Sequence, residues 1–327
     1  MANSETTDSD KCGRTGLLYY IWIWLFSVVL PLAALRAEEP DIVEVVPSDG
    51  AETASSLKEG TIEFADGSTY EGQLQLGKMH GLGIFRYAGG DVYEGNFWEG
   101  QLHGRGVFVF SNGDRYEGNF VDGERSGSGI SWSGNGNKYE GEFKSNEMNG
   151  YGVFEFGNGD TYNGYFVNGV REGQGTFMFE NGNIYEGAFV AGQMEGSGTF
   201  RYKAGHVYQG KFSKNQMDGN GELVFANGDR YVGPFVEGKQ DGDGSLKFAA
   251  GHHYQGGFRD GQMHGSGVLV YANGDRYEGE FANGLQNGFG VIYYAQGDRF
   301  EGMFVDGVRK GRGVTFYANG DKLEGDY

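Results

Sequence analysis

The sequence predicts an all-β protein: an elongated single-layer antiparallel meander of about twelve tandem β-hairpins, preceded by one N-terminal hydrophobic helix. Three observations carry this expectation. Tyrosine falls at positions 70, 93, 116, 139, 162, 185, 208, 231, 254 and 277, and Phe300 and Leu323 continue that 23-residue step without an insertion. Glycine supplies 63 of 327 residues against only 4 prolines, with no glycine-every-third period, which excludes a collagen helix. Aromatic residues make up 15%, too many for a solvated disordered chain, so something buries them.

Residues 1–16 read as a polar leader. Leu17 to Leu35 is uncharged and apolar, with Lys11 and Arg14 before it and Arg36 after it. A helix of that length spans roughly 28 Å, the thickness of a bilayer's hydrocarbon core. Two readings of residues 17–37 stay open. As a transmembrane anchor, the segment places Tyr19, Tyr20, Trp22 and Trp24 at a membrane interface. As a signal peptide, Pro31 followed by Ala33, Ala34 and Ala37 supplies a cleavage region, with the cut after Ala37. The localisation expected is therefore a membrane, through a single-pass anchor, or the secretory pathway. Lys11 and Arg14 place the N-terminus on the cytoplasmic side. Cys12 is the single cysteine, so there is no disulfide framework and no thiolate metal site; a cytosolic juxtamembrane position would make it a palmitoylation acceptor. Residues 38–59 are acidic, rich in Ala and Ser and without an apolar period, and read as a flexible linker.

Residues 60–327 form the repeat array. In Tyr277 to Arg299, "YEGEF" puts Tyr277, Gly279 and Phe281 on one face of a strand and Glu278 and Glu280 on the other. "ANG" and "QNG" supply turn chemistry, and a second strand carries Gly290, Ile292 and Tyr294 on one face. Turn glycines provide the positive φ that other residues adopt at a cost. Asn146 and Asn215 replace the turn glycine in two repeats, and asparagine is the next-best residue for that backbone. The glycines inside strands need a different reason: their missing side chains leave slots that large rings of adjacent strands fill. A lone hairpin is marginal in water, so neighbours must pair edge to edge. About 24 strands at ~4.8 Å spacing would give a ribbon on the order of 110 Å, with unpaired terminal strands open to homodimerisation.

The unit "YEG.F..G...G.G", as in "YEGNFWEGQLHGRGVFVFSNGDR" (Tyr93 to Arg115), resembles the MORN (membrane occupation and recognition nexus) repeat over residues 60–327. The resemblance implies hairpins with an aromatic-lined groove, acting as a scaffold that binds proteins, self-associates, or associates with membranes or phosphoinositides. Some members also carry catalytic domains. Here residues 1–59 are too few for one, so the expectation is a non-enzymatic scaffold without a cofactor. A regulatory or membrane-organising protein linked to phosphoinositide signalling, without kinase activity of its own, is the alternative.

Candidate sites follow from this frame. The partner-binding groove is expected along Tyr93, Phe97, Phe108, Phe110, Tyr116, Phe120, Tyr139, Phe143, Phe154 and Phe156, since one sheet layer cannot bury both of its faces. Its occupant would be a protein segment. Ser131 and Ser133 replace rings of this face, and Trp132 falls on the other, which predicts a local gap or kink. Glu71, Glu94, Glu117, Glu140, Glu186, Glu278 and Glu301 form an acidic stripe that Arg115, Arg230, Arg276 and Arg299 can partly neutralise. The "NGD" aspartates offer one carboxylate per turn, short of the oxygens calcium prefers. His80, His103 and His264 sit at a turn position, and His206, His252 and His253 fall too far apart to share one ion, so no metal is expected. A charge of −19 excludes a nucleic-acid surface. The largest basic cluster, Arg309, Lys310 and Arg312, is too small for lipid headgroups.

Overall fold

The computed structural model describes residues 56–327, together with the backbone of 42–47. The leader, the Leu17–Leu35 segment, Cys12 and the Ala37 cleavage point lie outside the described residues. Among the described residues every regular element is a strand, and no helix is long and apolar enough to cross a membrane. The chain divides into two compact units, one ending at Lys214 and the other running from Asn215 to Tyr327.

Within each unit the strands form an antiparallel meander, each pairing with its sequence neighbours except at Lys239–Gln240 and Gly242–Lys247, which both pair with Arg230–Val236. The hairpin of Val92–Trp98 and Gln101–Val109 is representative. Tyr93 lies opposite Phe108, Gly95 opposite Gly106 and Trp98 opposite Gln101, with a bulge between Gly95 and Phe97. On its far side Gly106 faces Gly118, and Phe108 faces Tyr116. Strand glycines therefore abut across successive strands and form a continuous bare track, flanked by rings.

Both turn types follow from left-handed backbone. At the tight turn Glu99 (φ 47°) and Gly100 (φ 89°) are both left-handed, the two-residue geometry that matches strand twist. Asn146 and Asn215 adopt φ 70° in the glycine's place, as expected from their chemistry. Less expected is the preceding position, where Leu76, Glu99, Ala191 and Lys214 accept φ of 47–52°.

Two sets of hydrogen bonds tie each hairpin to the next, one set along each margin. At the tight turns, Gly100 N–H donates to Met79 O, and Gly123 N–H to Leu102 O. At the other margin the "NGD" carboxylate reaches twenty residues ahead: Asp114 Oδ1 accepts from Gly134 N at 2.7 Å and Asp160 Oδ1 from Glu180 N at 2.7 Å. Where other residues hold that position they do the same work. Asn137, Asn183, the Ser68 hydroxyl and His252 Nδ1 each accept a following turn amide.

Two differences from the sequence reading are local. Ile42–Pro47, inside the region expected to be a flexible linker, pairs antiparallel with Lys58–Phe64 and covers that edge of the first hairpin. Pro47 sits at the end of this strand, where a missing amide donor does least harm. In the repeat from Tyr231 the second strand is split into Lys239–Gln240 and Gly242–Lys247. Pro234 in the facing strand has no amide to give, and Asp241 N–H donates instead to Pro234 O at 3.2 Å.

Candidate functional site

The aromatic face is built from tyrosines that lie down on the glycine track. A Cβ on Gly106 would fall inside the van der Waals envelope of the Tyr93 ring, and one on Gly95 would lie 2.6 Å from the Tyr93 hydroxyl. Only bare backbone lets the ring lie this flat. The hydroxyl then donates to Asn96 O at 2.9 Å, so the phenol is satisfied as well as covered. Phe97 of the same repeat and Phe120 of the next stand edge-on to Tyr93, each with centroids 5.1 Å away. The pattern repeats at Tyr116, between Phe120 and Phe143, and at Tyr139, between Phe143 and Phe166.

This arrangement buries what a single layer was expected to leave open. Tyr93 and Tyr116 are 0% exposed, and Tyr139, Phe97, Phe120, Phe143 and Phe108 are buried too. Of the ten groove residues expected from sequence, Phe110, Phe154 and Phe156 remain half-buried. Burial pushes the Tyr116 phenol up to about 12, with Arg125 and the Asn119 carbonyl opposing the shift, and raises that of Tyr93 further. These tyrosines hold the sheet.

What stays reachable is a row farther out. Phe85, Tyr87, Phe108 and Phe110 run as one ladder, with centroids 4.4–5.6 Å apart. Phe154, Phe156, Phe177, Phe179, Phe200 and Tyr202 form a second, spaced 4.5–5.7 Å. Across the two ladders Phe108, Phe177 and Phe200 are buried, while Phe85, Tyr87, Phe110, Phe154, Phe156, Phe179 and Tyr202 are half-exposed. Between the two ladders stand Ser131 and Ser133. The expected gap is thus real, but it is a gap in rings: Ser131 still pairs with Tyr116 and Tyr139, and the strand keeps its register.

Sequence reasoning missed the cations on this face. Arg125 is 5% exposed, its guanidinium 5.4 Å from the Tyr116 ring and 5.3 Å from Phe143. Arg171, two repeats on, lies 5.0–6.0 Å from Phe156, Tyr162, Phe177 and Phe189. The signal was present: both occupy a column where Met79, Met148, Met194, Met217 and Met263 stand in other repeats.

The opposite face carries the acidic stripe. Arg115, Arg276 and Arg299 pair with the glutamate two residues on, at 2.6, 2.6 and 3.1 Å. Arg230 crosses to Glu222 on the neighbouring strand and holds that carboxyl below the usual range. Trp132 is on this face, under the Arg115 guanidinium at 4.6 Å. Among the described residues no group of three His, Cys, Asp or Glu side chains is placed to hold a metal. His253 Nε2 instead meets the Ser245 hydroxyl at 2.9 Å, and the "NGD" aspartates are engaged by turn amides.

The 23-residue hairpin, its glycine track and its tyrosine row recur where the MORN repeat family model matches, at residues 70–230 as seven consecutive repeats and 254–322 as three more. The chain belongs to the MORN repeat family. The stretch 231–253 between the matched blocks is the MORN-like repeat whose second strand is split opposite Pro234. No curated protein matches the chain. Among solved structures, the SAS-4 TCP domain of Drosophila melanogaster, in complex with a proline-rich motif of Ana2, is similar at 14% identity. That match covers 54% of this chain and 85% of the other, with a TM-score of 0.25. Virginiamycin B lyase from Staphylococcus aureus is similar at 10% identity over 87% of this chain and 88% of its own, with a TM-score of 0.14. Scores this low carry no argument about this MORN array.

Proposed function

We propose that this MORN array is a non-enzymatic scaffold that docks an extended segment of a protein partner along the outer aromatic row. The observation that carries the proposal is the division of labour on the aromatic face. The inner rings are consumed by packing, while Tyr87, Phe110, Phe156, Phe179 and Tyr202 keep part of each ring open, one repeat apart except where Ser133 interrupts the row between Phe110 and Phe156. Half-open rings at regular spacing offer apolar anchor points that a partner can cover. In the same proposal Leu17 to Leu35 holds the array at a membrane, and a protein beginning at Glu38 by N-terminal sequencing would remove that part of it. The docking part is tested by cross-linking and affinity capture with Phe156→Ser plus Phe179→Ser, against wild type. Loss of the captured partner from a variant with an unchanged circular-dichroism spectrum is expected. Unchanged recovery from that variant rejects the strip.

A further inference from the structure

We propose that the break in the outer ladder at Ser131 and Ser133 is a recognition notch for one carboxylate side chain, carried by an extended peptide whose flanking apolar residues seat on Phe110 and Phe156. The inference rests on the docking strip and adds its specificity.

The argument begins with Arg125. Its guanidinium is taken out of water without a counter-ion: one amino group donates to Asn146 O, and Nε is buried with no partner. Arginine stays charged in proteins, so the desolvation is not relieved by losing a proton. Burial accordingly pulls its pKa below the ordinary value. The equivalent Arg171 shows what is missing. Phe177 lies 5.0 Å from the Arg171 guanidinium, and Ser131 is the residue equivalent to Phe177 in the repeat of Arg125. The notch thus sets two small hydroxyl side chains, in the repeat of an uncompensated cation, between two ladders that are aromatic from Phe85 to Phe110 and from Phe154 to Tyr202.

A carboxylate suits this site better than a phosphate. It brings one negative charge to one cation and accepts from two N–H groups side by side. A phosphate dianion would need further cations, and Asp114, 7% exposed beside Gly134, adds negative charge instead.

Spacing sets the peptide. Phe110 and Phe156 are two repeats apart, about 19 Å at ~4.8 Å per strand, which an extended chain covers in roughly six residues. The motif is therefore an apolar residue, two spacers, Asp or Glu, two spacers and a second apolar residue.

The test is selection of phage-displayed 12-residue peptides on the full chain, followed by fluorescence polarisation with the selected sequence and its Glu→Gln counterpart. Wild type is expected to enrich the acid midway between the apolar pair, and Glu→Gln to weaken binding about tenfold, as befits a hydrogen bond to a charged group. Arg125→Met places in this repeat the residue that five sister repeats already carry, so it should fold. It is expected to keep the apolar pair and lose the acid. Ser131→Phe with Ser133→Phe closes the ladder and should do the same. An apolar consensus without an acid, or an acid equally enriched on Arg125→Met, overturns the notch and leaves the strip standing. No enrichment on wild type overturns both.

Discussion

Gly106→Ala is the sharpest test of how this sheet holds together. The new methyl lands inside the Tyr93 ring, which is 0% exposed and must move. Complete expulsion of that ring would forfeit about 2 kcal/mol of burial. It would also lose two edge-on ring contacts at ~1 kcal/mol each and a hydroxyl hydrogen bond of ~1 kcal/mol. That sets a ceiling of about 5 kcal/mol, and partial relaxation of an overpacked site brings the expectation to about 3 kcal/mol. Urea unfolding followed by circular dichroism measures the loss, with hydrogen exchange reporting whether it concentrates in the neighbouring hairpins, as nearest-neighbour coupling requires. The same substitution in a Tyr93→Leu background isolates the cause, because a shorter side chain leaves room for the methyl. Most of the cost should vanish there. A cost under ~1 kcal/mol in the wild-type background, or an equal cost in both backgrounds, refutes ring-on-glycine packing as the source of stability.

Other perturbations have equally definite outcomes. Asp114→Ala removes the acceptor of the Gly134 amide and should cost ~1–2 kcal/mol, with faster exchange at that amide, while added calcium leaves the melting temperature of wild type unchanged. Ala191→Asn, at φ 49°, places a residue tolerant of left-handed backbone and should stabilise by ~0.5–1 kcal/mol in thermal melts. The phenols of Tyr70, Tyr116, Tyr162, Tyr254 and Tyr277 are raised from 10 to about 12 by burial. The neutral form is thus favoured in the fold: this stability is fully present below pH 10 and lost as pH climbs towards about 12. Absorbance at 295 nm should show their ionisation coinciding with loss of the β-sheet spectrum; full ionisation of these phenols at pH 10.5 in a folded chain would contradict their burial.

The 23-residue step and the pairing of Tyr with strand glycines were legible because one steric requirement, a ring needing bare backbone, recurs in every copy. The turn glycines and their Asn146 and Asn215 substitutes were legible for the same reason. That rings fill the slots left by strand glycines was expected; that Tyr93, Phe97 and Phe120 are thereby closed to a partner was not, since alternation tells which face a ring is on but not that it lies flat and is walled in by the next repeat. The margin bonds were hidden by distance: Asp114 and Gly134 lie twenty residues apart, and an aspartate in a turn has an adequate local explanation. The strand at Ile42–Pro47 lies outside the repeat, so periodicity was silent on it. Leu76 and Glu99 hold left-handed backbone because the hairpin geometry overrides their own preference. Arg125 escaped notice because a cation among rings breaks the apolar pattern by which a buried column is recognised.

Because each tyrosine is seated on glycines that occur once per strand, the chain can change length only in whole units. Deleting a complete 23-residue block would rejoin one seat to another of identical shape. Removing a single residue from a strand would turn the later side chains of that strand to the wrong side and strand a ring where backbone carries a Cβ. An architecture of this kind measures length in fixed steps, and variants of it should differ by multiples of that step.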